Sequence, residues 1–376
     1  MAGDKQFSVL SDEALDELRG FIGKEVRRGR PYVELLSSDA IRHFAYGIGD
    51  RNPLWNDPEY AAGTAHGMQL APPTALYATD RILSGYVTGL SGVHAMFAGT
   101  EFKYERPIRV NDRIRAVAKL KDLIERPSKF AGRSVQQIYA VELFDQEDKL
   151  VATAESYCFR TERDAARELS KYEAPAPVTW TPEQIADIAQ QYKDQDARRR
   201  GALPRYIEDV HEGDVLPQLI KGPYTATTAI AFLLGWGGLY VRAHGDAFDL
   251  YERHPGLGIL NDWGVPEPPE RVHWDPVLAA NVGVPGAYDY GPERVSWMGH
   301  LVTDWMGDDG FLSRLRVEVR RHNLIGELVT CKGIVKSVDR ERRTAHLELH
   351  AHNQDGEESA RGEAEVVLLT KDAVSS

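Results

Sequence analysis

The segment Trp55-Asn56-Asp57-Pro58-Glu59-Tyr60-Ala61-Ala62 returns far along the chain as His273-Trp274-Asp275-Pro276-Val277-Leu278-Ala279-Ala280. Four of the eight positions agree, an Asp-Pro pair and an Ala-Ala pair. The surroundings repeat as well. TATTAIAFLLGWGG, ahead of the second copy, has the shape of SSDAIRHFAYGIGD, ahead of the first. A helical pattern follows each copy, APPTALYATDRILSG and then ERVSWMGHLVTDW, and strand-like alternation follows each of those. A repeat this long implies duplication of one structural unit of about 160–170 residues. The chain, at 376 residues, is long enough to bury two cores.

The pattern within each unit is helix first, then antiparallel strands. In the first unit, FKYERPIRVNDRIRAVAKLKDLIE and SVQQIYAVELFDQEDKLVATAESYCFR read as long strands joined by turns. Residues 1–165 form the first unit and residues 206–376 the second. The second unit carries an insertion over about 241–268 with no counterpart in the first. Between them, residues 166–205 are charged and proline-rich and read as a solvated linker. It holds one helix, begun by Thr181 as N-cap with Pro182 at the first helical position. Arg198, Arg199 and Arg200 read as its solvated end.

Composition narrows the function. Lys and Arg number 45 against 57 Asp and Glu, a net charge of −12, which disfavours nucleic acid as a partner. Cys158 and Cys331 are too few for a disulfide framework or a thiolate zinc cluster, and the twelve histidines show no His-Glu-x-x-His spacing. The apolar run AIAFLLGW is too short to cross a bilayer, and the acidic N-terminal segment lacks the basic start of a secretory signal. A cytoplasmic protein with no membrane partner is expected.

The most informative stretch is Gly49-Asp50-Arg51-Asn52-Pro53-Leu54-Trp55-Asn56-Asp57-Pro58. It resembles the motif of the MaoC-like, hydratase-2 type family, Gly-Asp-x-Asn-Pro-x-His-x-Asp-Pro. With APPTALY it is similar to the family's N-terminal dehydratase domain, and VHWDPVLAANVGVPGAYDYG in the second unit is similar to the partner domain. The resemblance implies an α+β chain of two hotdog domains, each a long central helix wrapped by an antiparallel sheet, arranged as an intrachain pseudo-dimer. It implies an acyl thioester of coenzyme A as substrate, with no cofactor beyond the coenzyme A of that substrate. The reaction it implies is hydration of a 2-enoyl-CoA to an (R)-3-hydroxyacyl-CoA, or the reverse dehydration. A homo-oligomer, or a complex with a partner subunit, is expected.

Hydration needs a base for water, a proton for the α-carbon and donors for the enolate oxygen. In the family the motif's Asp and His handle water and proton, and here the pair is split. The first unit keeps Asp50 and Asn52 but has Trp55 at the His position, and an indole N–H cannot act as a base. The second unit has His273 there, yet Pro268-Pro269-Glu270-Arg271-Val272 stands where Gly-Asp-x-Asn-Pro belongs. One reading makes His273 the base and takes the missing acid from Asp262, Glu267 or Glu270. Another joins Asp50 and His273 in one site. Asn52 and Trp55 then shape the substrate tunnel, Gly291 offers a backbone N–H at a helix start, and His300 shares a helix face with Asp304. Asp57 and Asp275 read as helix N-caps, and Asp304 to Gly310 as a turn. The insertion suggests a cap over a bulky or branched acyl group. Two rivals remain: an acyl-CoA-binding subunit that needs a catalytic partner, and a hotdog thioesterase.

Overall fold

The computed structural model describes residues 10–26, 29–90, 93–127, 133–161 and 176–371. The first part of the predicted linker lies outside them. In the first half, helices α1 (Asp12–Arg19), α2 (Ser38–Gly47), α3 (Pro53–Asn56) and α4 (Pro58–Ala62) precede strands β1 (His94–Tyr104), β2 (Arg115–Pro127), β3 (Arg133–Phe144) and β4 (Leu150–Thr161). Helix α5 (Pro182–Arg198) leads to β5 (Leu219–Lys221) and α6 (Ala226–Trp236). The insertion folds as α7 (His244–Arg253) and a small hairpin, β6 (Ile259–Leu260) and β7 (Pro266–Glu267). Then come α8 (Pro276–Asn281), α9 (Gly291–Met306), β8 (Phe311–Val319), β9 (Val329–Asp339), β10 (Thr344–Asn353) and β11 (Glu358–Val367).

One nine-stranded sheet runs β2-β3-β4-β1-β8-β11-β10-β9-β5. Read outward from the β1–β8 junction, the halves have the same order, so the duplication in the sequence is a pseudo-twofold in space. The junction depends on a glycine. At Gly99, with φ of 149°, an added Cβ would lie 2.2 Å from the Val317 carbonyl oxygen. The second crossing uses the same device. Gly47 and Gly235 bring α2 and α6 backbone to backbone, and a Cβ on Gly235 would meet the His43 carbonyl oxygen at 2.6 Å.

Helix α9 is buried on nearly every side and packs on β8 and β1. Its counterpart is not the long helix that the first-half pattern predicts. Residues 73–78 and 82–84 form short 3-10 turns. The cause is local. The Thr79 hydroxyl donates to the Leu76 carbonyl at 2.8 Å, Asp80 Oδ1 accepts from the Ile82 N–H at 2.7 Å, and Gly85 turns left-handed. Each takes a backbone group that an α-helix would use.

The linker helix is not a free connector. Thr181 and Gln184 form a reciprocal capping box at its start. Downstream, Gln195 Oε1 accepts from the Ile220 N–H at 2.8 Å, and Arg199 donates to Asp304 at 2.8 Å. Docking on the second half thus removes Arg199 from solvent. Asp57 and Asp275 cap α4 and α8 as expected, each through one carboxylate oxygen to two backbone N–H groups. Cys158 and Cys331 are buried free thiols. Among the described residues no helix is long and apolar enough to cross a membrane.

Candidate active site

A half-open cavity of about 1670 Å³ lies between the two halves. The first half contributes Asp80, Arg81, Ser84 and Phe97, and the second contributes Trp236, Glu270, His273, Tyr290 and Gly291. The insertion forms one wall through Arg242, Leu250, Arg253 and His254.

His273 ends the 3-10 turn Pro269–His273. Its Nδ1 lies 2.7 Å from the Tyr288 carbonyl oxygen, which can only accept, so Nδ1 carries the proton and Nε2 keeps its lone pair. The ring lies against Tyr290, centroids 3.6 Å apart, and edge-on to Tyr288. Burial pushes the imidazole down to about 4, and the bond to Tyr288 only partly opposes this. The ring is therefore neutral at pH 7.

Glu270, on the same turn, explains what became of the missing aspartate. Helices α2 and α6 match residue for residue from their caps, Ser37 and Thr225. On that match Gly49, at φ 64°, corresponds to Gly237, at φ 90°, and Asp50 corresponds to Gly238. A Cβ on Gly238 would lie 2.9 Å from Glu270 Oε1. The Glu270 carboxylate thus fills the space that a side chain at 238 would occupy. Its bonding repeats too. Asp50 Oδ1 accepts from the Asn52 N–H two residues on, at 3.0 Å. Glu270 Oε2 accepts from the Tyr240 N–H, two residues beyond Gly238, at 2.5 Å, and Oε1 accepts from Leu239 at 2.6 Å. Burial pushes the Glu270 carboxyl up, while those N–H groups and the Arg242 and Arg81 guanidiniums pull it back. The residues opposite Asp50 are therefore those ahead of the insertion, not Pro268 to Val272.

Gly291 opens α9 at the cavity. Tyr290 supplies no side-chain cap, and a Cβ on Gly291 would strike the Phe97 ring at 2.2 Å. The helix thus presents a backbone end to the cavity.

The other sequence candidates fall elsewhere. Asp50 is 1 % exposed and does not line the cavity that holds His273. Its Oδ1 lies 3.3 Å from His300 Nε2, which is also 3.3 Å from Asp304 Oδ2. Lys221 Nζ reaches His300 Nδ1 at 2.9 Å and the Ile48 carbonyl oxygen at 2.6 Å. Burial pushes Asp50 up and Lys221 down. Burial acts upward on Asp304 as well, yet His300 and Arg199 hold it below its ordinary value. His300 is thus tied into a buried ionic cluster and does not line the cavity. Trp55 is 2 % exposed and fills core space, and Asn52 caps α3 through the Leu54 N–H at 3.0 Å. None of Asp50, Asn52 and Trp55 lines the cavity. Asp262 lies in the exposed turn between β6 and β7, and Glu267 pairs with Arg271 at 2.6 Å; neither lines the cavity. Asp308 accepts from the Tyr60 hydroxyl at 2.6 Å, in keeping with a structural turn.

Sequence reasoning missed Tyr288, Tyr290, Arg81 and Gly238. Only the Gly-Gly that ends the repeated helix, standing opposite Gly49-Asp50, could have flagged Gly238.

The architecture and its paired half-sites define a double-hotdog chain of the hydratase and dehydratase class. Residues 21–154 match the family described as FAS1-like, dehydratase domain region. A UPF0336 protein of Streptomyces avermitilis is 31% identical over 146 residues, which is 38% of this chain and 91% of that protein. A 3-hydroxybutyryl-CoA dehydratase of Methylorubrum extorquens is 29% identical over 113 residues, 29% of this chain and 70% of that protein. Among solved structures, a MaoC-like dehydratase superposes with a TM-score of 0.64 at 18% identity, covering 94% of this chain and 100% of that one. A Mycobacterium tuberculosis protein described as a double hotdog superposes at 0.54 and 11% identity, covering 89% and 93%. The chain belongs with the UPF0336 proteins, its first half carries the FAS1-like dehydratase region, and its fold is that of the MaoC-like dehydratases.

Proposed function

We propose that this chain adds water across 2-enoyl-CoA thioesters to give (R)-3-hydroxyacyl-CoA, or runs the reverse by mass action, at the second-half site. The observation that carries the reading is Glu270, whose carboxylate stands in the second half where Asp50 stands in the first, one turn from His273. His273 Nε2 takes a proton from water as the water oxygen bonds to C3. The double-bond electrons move onto the thioester oxygen, which the first-turn N–H groups of α9 hold. The imidazolium then returns the proton to C2, so H and OH have added. Each Glu270 oxygen keeps a lone pair beyond its backbone bond and orients the second hydrogen of the water. The residues call on no cofactor for these steps.

The cavity exceeds the roughly 300–1,000 Å³ of ordinary ligand pockets, and the insertion walls it, which supports a bulky or branched acyl group. The test is loss of enoyl absorbance with crotonyl-CoA and a bulkier enoyl-CoA. His273→Ala should lose about a hundredfold or more, the scale for a general base, and Asp50→Asn should keep its rate. A wild-type chain that binds acyl-CoA without turnover would be a binding subunit instead. Thiol release from a saturated acyl-CoA would make it a thioesterase. Fastest turnover of short linear substrates would count against the bulky acyl group.

A further inference from the structure

The cavity gathers one group of histidines, His254, His273 and His322. The last hairpin holds another, on the face of the sheet that carries alternating charged side chains. Strand β10 reads Thr-Ala-His-Leu-Glu-Leu-His-Ala-His-Asn, and its period of two places Glu348, His350 and His352 on one face. A bulge in the β10–β11 ladder, between Ala351 and His352, sets Glu358 directly across from His352. His350, His352 and Glu358 each bring one ligand atom, and the three atoms lie within 4.8 Å of one another.

Both nitrogens of His350 face carboxylates, so in the metal-free protein the ring holds a proton on Nδ1 that a metal ion there would displace. Glu358 Oε1 is 2.7 Å from His350 Nδ1, and Glu348 Oε1 is 2.8 Å from the opposite nitrogen, Nε2. A carboxylate on the far nitrogen is the usual way a metal-binding imidazole is oriented and made more basic. The His350 and His352 rings are stacked, centroids 5.9 Å apart, and His352 Nδ1 is buried without a hydrogen-bond partner. Arg361 lies 3.7 Å from the other oxygen of Glu358, and Oε1, now bonded to His350 Nδ1, is the oxygen that a metal would take. The contrast with Asp50, His300 and Asp304 is instructive. That trio is as close-set, but Lys221 bonds its imidazole directly, whereas Lys336 and Arg361 meet only the outer carboxylate oxygens of Glu348 and Glu358.

We propose that His350, His352 and Glu358 bind one divalent transition-metal ion of the zinc type, with Glu348 orienting His350. Two imidazoles and one carboxylate, completed by water, form a tetrahedral set that suits zinc. The ion would clip β10 to β11 on the sheet face, apart from the hydratase cavity.

The test is equilibrium dialysis of chelator-stripped protein against Zn²⁺, repeated with Co²⁺ for its visible absorption. One ion per chain is expected, with a Kd of about 10 μM or tighter. Glu348→Gln should weaken binding about 10–100-fold, the usual effect of losing an orienting carboxylate. His352→Ala and Glu358→Gln should each weaken it further and abolish the Co²⁺ bands, while circular dichroism stays unchanged. Wild-type protein that takes up no stoichiometric Zn²⁺ overturns the proposal, as does undiminished binding in both ligand variants. The readout is metal content, so it stands or falls separately from the hydratase reading.

Discussion

Replacing Glu270 by alanine removes a carboxylate with two measurable jobs. It accepts from Leu239 at 2.6 Å and Tyr240 at 2.5 Å, and it is 6 % exposed. Hydrogen bonds to a charged group contribute about 1.5–3 kcal/mol each, so truncation should cost about 3–6 kcal/mol of stability. Arg81 and Arg242 would also lose their nearby counter-charge. Denaturant unfolding followed by circular dichroism reads that loss. Enoyl-CoA hydration, assayed where the variant is fully folded, should fall about a hundredfold or more. The decisive arm is rescue. Gly238→Asp in the Glu270→Ala background puts a carboxylate back on the residue that matches Asp50. Gly238 has φ 65°, a left-handed conformation that aspartate tolerates better than most residues. Truncating Glu270 removes one of the two atoms 2.9 Å from the new Cβ, and the other is the end of the flexible Leu233 side chain. The double variant should recover at least about tenfold in rate, toward the scale of one acid–base group. A Glu270→Ala enzyme with near wild-type turnover refutes the substitution argument. A double variant no faster than Glu270→Ala refutes the claim that the two carboxylates occupy equivalent places.

Two further outcomes follow from the geometry. His273 should stay neutral, with the proton on Nδ1, down to about pH 4, and ¹⁵N shifts of the ring would show titration near 6.5 if the reasoning fails. The unfolded chain takes up that proton first, so the stability this group contributes is full above pH 6.5 and is lost as pH falls toward 4. Gly99→Ala should destabilise by about 3 kcal/mol or more, because its Cβ meets the Val317 carbonyl oxygen across the joint between halves. Gly356→Ala, in an open turn with nothing within 4 Å, should cost only about 1 kcal/mol, and equal losses in thermal unfolding would undercut the junction argument.

The sequence by itself determined the duplication, the family and the place of His273. These rest on patterns that act over a few residues: helix caps such as Asp57 and Asp275, alternation along strands, and a motif read in one stretch. Alternation also put His350 and His352 on one face, but nothing local to them announced Glu358, because a bulge in the neighbouring strand sets that register. The tertiary structure alone decided which carboxylate serves which half. Glu270 reaches Leu239 across a sequence separation of 31 because the insertion loops out and returns to the end of α6. Asp50, in a motif complete but for Trp55 at the His position, joins a buried cluster with Lys221 and His300, residues whose approach depends on how α9 and β5 pack together. A motif fixes a residue's type and its local bonds; which half-site opens to a cavity depends on packing between segments far apart in the chain.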